Sequence, residues 1–299
     1  MVWCSGWKLV SAVSNNGGLG LLGAGSMHPE ILQEHIRKTK AATQNPFGVN
    51  VPLLYPEIEK IIEIIIQEKV PIVFTSAGSP KKWTAILKSE GIKVVHVVSS
   101  SVFAKKCEEA GVDAIVAEGF EAGGHNGREE TTTMTLIPSV RKSTGLPLIA
   151  AGGIATGRGM LAAMTLGADG VQIGSRFAIS EESSAHPDFK KLVTGLSEGE
   201  TKLALKKLAP VRLIKNEFFD LINSAEQDGA SVDRLKELLG RGRAKKGMFE
   251  GDIAEGELEI GQASAFIDDI LPVKVIMENL TAEYLKAKDE LAFSGVYNF

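Results

Sequence analysis

One imidazole in this chain lies in a run of residues with little or no side chain. The segment Glu118-Gly119-Phe120-Glu121-Ala122-Gly123-Gly124-His125-Asn126-Gly127 follows the short apolar stretch Ala114-Ile115-Val116-Ala117. Glycines let a flat ligand lie against bare backbone and reach positive φ at no steric cost. A histidine at such a place can take or give a proton near neutral pH. Taken alone, the segment reads equally as a glycine-rich turn with a surface histidine. Two further glycine turns follow. Leu148-Ile149-Ala150-Ala151-Gly152-Gly153-Ile154 is an apolar run ending in Gly-Gly, and Gly170-Val171-Gln172-Ile173-Gly174-Ser175-Arg176 is another ending in Gly-Ser. Backbone N–H groups exposed at such turns bind phosphate. Two of them at the ends of late strands are what a (β/α)8 barrel uses to hold a phosphorylated ligand.

The elements that would position these turns are legible along the chain. Strand-like runs occur at 19–22, 47–51, 72–76, 94–98, 114–117, 148–151 and 171–174, with helical patterns at 28–43, 55–69, 80–90, 101–110, 136–143 and 159–166 between them. The strands are continuously apolar rather than alternating, as expected where helices cover them or a barrel closes. Alternating strands and helices give an α/β fold of the TIM-barrel, (β/α)8 type. Only seven strands are legible, and Met1 opens a loop that feeds a helix at about 8–13. The first strand of an eight-stranded barrel is therefore expected upstream, in a natural chain beginning about 15–25 residues earlier, room for a strand of five or six residues and a lead-in. After about position 180 the alternation stops. The expected division is a barrel over 1–180, a small, mostly helical domain over 181–269, and a closing helix within 270–299 that packs back on the barrel.

Composition narrows the class. A barrel takes roughly 250 residues, so 299 residues hold one with a modest addition. A net charge of −4 gives no general attraction to nucleic acid. The apolar run 58–66 is too short and too charged to span a bilayer, and no signal peptide is visible. With only two cysteines, Cys4 and Cys107, a disulfide framework is excluded. No Cys or His cluster has metal-ligand spacing, so no metal site is expected. A reducing cytoplasm is the expected compartment.

Together, Glu-Ala-Gly-Gly-His at 121–125, Ala-Ala-Gly-Gly-Ile at 150–154 and Val-Gln-Ile-Gly-Ser-Arg-Phe at 171–177 resemble the flavoprotein superfamily that joins nitronate monooxygenases with the flavin-dependent enoyl-acyl-carrier-protein reductase II. The likeness extends to Gly48-Val49-Asn50, Thr75-Ser76-Ala77-Gly78 and Glu182-Ser183-Ser184-Ala185-His186-Pro187. It implies FMN bound on the barrel. Asn50 would meet the flavin ring, and Glu118, Gly123 and Gly124 would lie near the ring and ribityl chain. Gly152, Gly153, Gly174 and Ser175 would hold the phosphate, Gln172 would line the same site, and His125 would be the catalytic group facing the reactive side. Some nitronate monooxygenases have an amide where Glu118 stands, and a carboxylate there suits a monovalent cation or a different substrate. The segments Val211-Arg212-Leu213-Ile214-Lys215-Asn216, Arg243 to Asp252 and Glu259-Ile260-Gly261-Gln262-Ala263-Ser264 resemble the reductase branch. The implied activity is hydride transfer from NADH or NADPH, by way of FMN, to a trans-2-enoyl thioester on acyl carrier protein or a small carrier, in a homodimeric enzyme. The alternative is oxidation of alkyl nitronates with oxygen. A flavin-free binding barrel or a phospho-sugar isomerase is the reading from other classes.

Other residues carry plainer expectations. Ser26 is a candidate cap for the helix near Pro29. His28, His35 and His96 read as structural or solvated, Trp3 and Trp83 as packing, and Cys107 as a buried thiol. His186 reads either as lining the added domain or as a loop residue without function. Lys206, Lys207, Arg212, Lys215, Arg241, Arg243, Lys245 and Lys246 form either a solvated face or a docking patch for an acidic carrier protein or a 2′-phosphate.

Overall fold

The computed structural model describes residues 3–293. Helix α1 (Trp7–Asn15) leads into strand β1 (Gly20–Gly23), followed by α2 (Pro29–Ala42), β2 (Phe47–Pro52), α3 (Ile58–Gln67), β3 (Ile72–Ser76), α4 (Lys81–Ser89), β4 (Lys93–Val98), α5 (Ser101–Glu109) and β5 (Ala114–Glu118). A two-residue strand β6 (Gly124–His125) lies in the glycine loop, followed by α6 (Thr133–Arg141), β7 (Leu148–Ala151), α7 (Gly157–Thr165), β8 (Gly170–Gln172) and the short α8 (Ser175–Ala178). Seven parallel strands pair in the order β1-β2-β3-β4-β5-β7-β8, the curled sheet of a TIM-type barrel. Its edges, among the described residues, are β1 and β8.

The strands are mostly apolar because both of their faces are covered. Val49, Val51, Val73, Val94, Val98, Ile115, Ala117, Leu148 and Ala150 belong to the core under the helices. The alternate residues Leu21, Phe74, Val95, Val116 and Ala151 form a second, inner cluster. Asn50, Glu118 and Gln172 fall on that inner face by the period of two along a strand. The helices bury one stripe each; α3 sends Ile61, Ile62 and Ile65 inward. Thr156 Oγ1 accepts from the Gly159 N–H at 3.0 Å and caps α7, a contact of a kind that contributes about 1 kcal/mol. At α2 the cap position is His28, with no side-chain cap bond, and Pro29 begins the helix. The expected cap Ser26 instead accepts from the Trp3 N–H at 2.9 Å, holding the N-terminal loop.

Beyond the last barrel strand come α9 (Pro187–Val193), β9 (Thr201–Ala204), β10 (Val211–Ile214), α10 (Glu217–Gln227), α11 (Val232–Leu239) and α12 (Val273–Phe293). The segment expected to be mostly helical thus also holds two strands. They join β6 in an antiparallel sheet of order β6-β10-β9, so the added segment grips the glycine loop directly. The closing helix packs against α7 and α1, the helices that flank the two sheet edges. There the Gly157 N–H donates to Glu283 at 2.8 Å. No helix among the described residues is long and apolar enough to cross a membrane.

Candidate active site

The three glycine turns lie at the C-terminal ends of β5, β7 and β8, and those ends are adjacent. Glu118 stands beside Ala151, and Ala151 beside Gln172, across the sheet. The Gly119 N–H donates to the Ala151 carbonyl at 2.9 Å, tying the first turn to the second. Gly152 has φ +92, and a Cβ there would lie 2.6 Å from the Gly119 carbonyl oxygen. That position therefore requires glycine for backbone conformation and for close approach alike. Glu121 turns back on its own loop: its carboxylate accepts from the Thr133 N–H at 2.9 Å and from Thr133 Oγ1 at 3.1 Å, at the start of α6.

A residue that the sequence did not single out as a site residue joins the turns. Gly261 N–H donates to Ser175 Oγ at 3.0 Å, and the next N–H, that of Gln262, donates to the Glu121 carbonyl at 2.9 Å. A Cβ on Gly123 would lie 2.5 Å from Gly261 N and would also strike Ile260. Gly123 and Gly124 were expected beside the ring and ribityl chain of a cofactor. Their missing side chains make room for the chain itself: 260–261 lies against Gly123, and the Glu259 carboxylate against Gly124. Of the five glycines expected in the site, Gly174 alone has nothing within 4 Å of where its Cβ would be, so open space lies beside the last turn. Ser175 keeps its hydroxyl proton for a further partner, since Gly261 uses it as an acceptor.

The inner face supplies polar groups pointing at that space. Gln172 Oε1 is buried with no hydrogen-bond partner, an arrangement that is costly unless something completes it. Asn50, at the end of β2, is 5% exposed and its amide makes no hydrogen bond among the described residues. The Glu118 carboxyl, at the end of β5, is pushed up to about 7 by burial, into the range where a carboxyl can keep its proton. His125 stands exposed on β6, opposite Val211 of β10. An orphaned amide, a ring of backbone at the strand ends and an accessible imidazole fit a flat polar ligand that ends in a phosphate. Among the described residues no group of three or more His, Cys, Asp and Glu could hold a metal ion.

Two clusters near the loop differ from the sequence reading. Arg212, expected on a cationic surface, is 2% exposed and points under the glycine loop. Arg243 is turned inward, donating to the Leu238, Leu239 and Glu255 carbonyls and lying 4.6 Å from the Phe218 ring. Lys206 pairs with Glu130, Lys245 with Glu250 at 3.0 Å, and Lys246 with Asp252 and Glu255. Lys207 donates to the Ala230 carbonyl; it, Lys215 and Arg241 are exposed cations without an ion pair among the described residues. The eight basic residues therefore do not form one free cationic face. Behind Gly124, Glu257 is buried beside Glu259. Burial first, and the Glu259 charge second, push the Glu257 carboxyl up to about 8.

His28 is exposed, whereas His35, His96, His186 and both cysteines are held in packing or local hydrogen bonds. His96 is buried, with its Nδ1 2.6 Å from Thr75 Oγ1, and burial pushes its pKa down to about 4. His35 Nδ1 accepts from the Trp7 N–H at 3.2 Å. His186 accepts from the Asp188 N–H as the cap of α9, and its ring lies against Gly251. Burial drives both thiols, Cys4 and Cys107, up to about 12, which makes them inert.

A model of the nitronate monooxygenase family matches residues 1–61 and 56–283. A (3aS,4S,5R,7aS)-5-hydroxy-7a-methyl-1-oxo-octahydro-1H-indene-4-carboxyl-CoA dehydrogenase of Rhodococcus jostii is 31% identical, over 97% of this chain and 92% of its own length. A probable nitronate monooxygenase of Staphylococcus aureus is 34% identical over 74% of this chain and 75% of its own. Among solved structures, FabK from Thermotoga maritima superposes with a TM-score of 0.93 at 40% identity, covering 98% of this chain and 93% of that one. A nitroalkane oxidase from Streptomyces ansochromogenes superposes with a TM-score of 0.82 at 26% identity, covering 97% and 94%.

Proposed function

The chain belongs to the nitronate monooxygenase family and is an oxidoreductase, and from that premise we propose that it is an FMN-dependent enoyl thioester reductase of the enoyl-acyl-carrier-protein reductase II kind. The observation that carries the proposal is the 40% identity and 0.93 TM-score to FabK across nearly the whole of both chains. The Rhodococcus relative, whose name describes a CoA thioester, supports a thioester substrate independently.

FMN, when bound, supplies the two-electron relay between a reduced nicotinamide nucleotide, NADH or NADPH, and the double bond. The backbone N–H groups of Gly152, Gly153 and Gly174 and the Ser175 hydroxyl bind its phosphate. Gln172 Oε1 and the Asn50 amide would complete their hydrogen bonds on the cofactor, and Glu118, its carboxyl raised by burial, would offer a donor when protonated or an acceptor when ionised. Reduction adds hydride at the β-carbon and a proton at the α-carbon. An N–H of the His125 ring donates that proton, or holds the thioester carbonyl while water donates it. The substrate arrives on acyl carrier protein or on a smaller thioester carrier.

A second reading rests on the matched family model and the Staphylococcus relative: oxidation of an alkyl nitronate with oxygen, with His125 beside the acidic carbon. The test is to release and identify the bound cofactor, then compare steady-state turnover with a crotonyl thioester and with propionate 3-nitronate. The proposal requires FMN and thioester-dependent NAD(P)H oxidation. FAD, or turnover of the nitronate alone, overturns it.

A further inference from the structure

Arg212 is the largest fully buried side chain described, and it has no carboxylate partner within ion-pair distance among the described residues. A buried guanidinium needs its charge met by hydrogen bonds and polarisable surface. Here Nε and Nη2 both donate to one acceptor, the Phe120 carbonyl, at 3.2 and 2.8 Å. Nη1 reaches Thr201 Oγ1 at 3.5 Å, and the guanidinium lies 4.5 Å from the centre of the Phe120 ring. Arg212 therefore holds Phe120 by main chain and side chain together.

Phe120 is at the root of the loop that carries His125, and Arg212 is also the strand partner of Gly124 at its tip. Other contacts fix neighbouring points of this loop: the Phe120 N–H donates to Thr131, the Asn126 N–H to Pro210, and the Glu121 carbonyl accepts from Gln262. Arg212 joins the root of the loop to its tip through one side chain and its own backbone pairing. Along β10, Val211 and Leu213 belong to the added segment's own cluster with Phe218 and Phe219, while Arg212 points the other way and reaches the Phe120 carbonyl.

We propose that Arg212 is a positioning residue: its fork on the Phe120 carbonyl and its cation–π contact with the Phe120 ring set the aim of β6, and so of the His125 imidazole over the reacting carbon. This rests on the role given to His125 above. A lysine cannot reproduce it in full, because an ammonium group lacks the planar fork that engages one carbonyl with two N–H groups while keeping its charge against a ring.

The test is a double-mutant cycle read at saturating substrate. Arg212→Met is expected to lower kcat by roughly 10²-fold, the scale of a misplaced catalytic group, with flavin content and KM unchanged. Arg212→Lys should recover part of the loss. In a His125→Ala background, Arg212→Met should have no further effect, since the group it aims is gone. Should Arg212→Met fail to fold, Phe120→Leu removes the ring and keeps the carbonyl, and the same non-additivity is expected of it. An equal loss in both backgrounds, a loss of flavin in proportion to activity, or full activity of Arg212→Met beside an impaired His125→Ala each overturns the inference alone. Undiminished turnover of His125→Ala removes the role of His125 and the inference with it.

Discussion

Glu257→Gln should flatten the pH dependence of stability on the alkaline side of neutrality. Glu257 is 8% exposed and faces Glu259 across one residue, with Arg243 as its compensating charge. Its carboxyl is raised from the ordinary 4.5 to about 8 in the folded protein. In that window the folded form keeps a proton that the unfolded chain has released. A raised carboxyl contributes stability that is complete below the unfolded value and is lost as pH climbs through the folded one. One such proton gives a slope of about −1.4 kcal/mol per pH unit. His96 has the opposite sign: it is lowered to about 4 from 6.5, so its burial weakens the fold on acidification through that range. The two effects oppose each other below pH 6.5, and Glu118 contributes up to about 7, so the clean window lies between about 7 and 8. There, with an m-value of about 3 kcal/mol/M, the wild type should lose about 0.5 M of urea midpoint per pH unit to Glu257. Urea titrations at several pH values, followed by tryptophan fluorescence, measure the slope. Glu257→Gln should be more stable than wild type at pH 8 and lack this component. Parallel slopes for the two proteins would show that Glu257 carries no extra proton and that the argument from its burial is wrong.

Two further substitutions separate the roles of the glycines. Gly174→Trp should abolish flavin binding yet leave the apoprotein folded, because the Cβ position opens on empty space; retained flavin at wild-type stoichiometry, measured by absorbance, would contradict it. Gly123→Ala should cost about 1–3 kcal/mol in a denaturant titration, because the new Cβ meets backbone of Ile260 and Gly261 that cannot rotate away; an unchanged midpoint would refute the packing argument.

The parallel strands were legible because each is a continuous apolar run between punctuating glycines and helical stripes, and all seven appear within a few residues of where their hydrophobicity places them. The strands of the added segment were not. Thr201-Lys202-Leu203-Ala204 and Val211-Arg212-Leu213-Ile214 carry a charge on one face because that face meets water or a carbonyl, and four residues are too few to establish a period. Strand β6 has only two residues, and its pairing partner lies some 85 positions away, so nothing local could reveal it. The glycine turns were recognisable by composition, but not the division of labour among them. Whether a missing Cβ makes room for a ligand, as at Gly174, or for another stretch of chain, as at Gly123, depends on what folds against it. Arg212 misled for the same reason: in sequence it is one of eight cations, and only the position of Phe120 makes it an internal clamp.

The reductase reading is tested most directly by an anaerobic half-reaction. The protein loaded with FMN is reduced with a stoichiometric amount of NADH or NADPH under strict exclusion of oxygen and then mixed with a trans-2-enoyl thioester. The account predicts that the flavin colour returns, with one saturated thioester formed for each flavin reoxidised, and that His125→Ala slows this step while leaving bleaching intact. Colour that stays bleached with the thioester and returns only on admitting oxygen, together with turnover of propionate 3-nitronate, would contradict it.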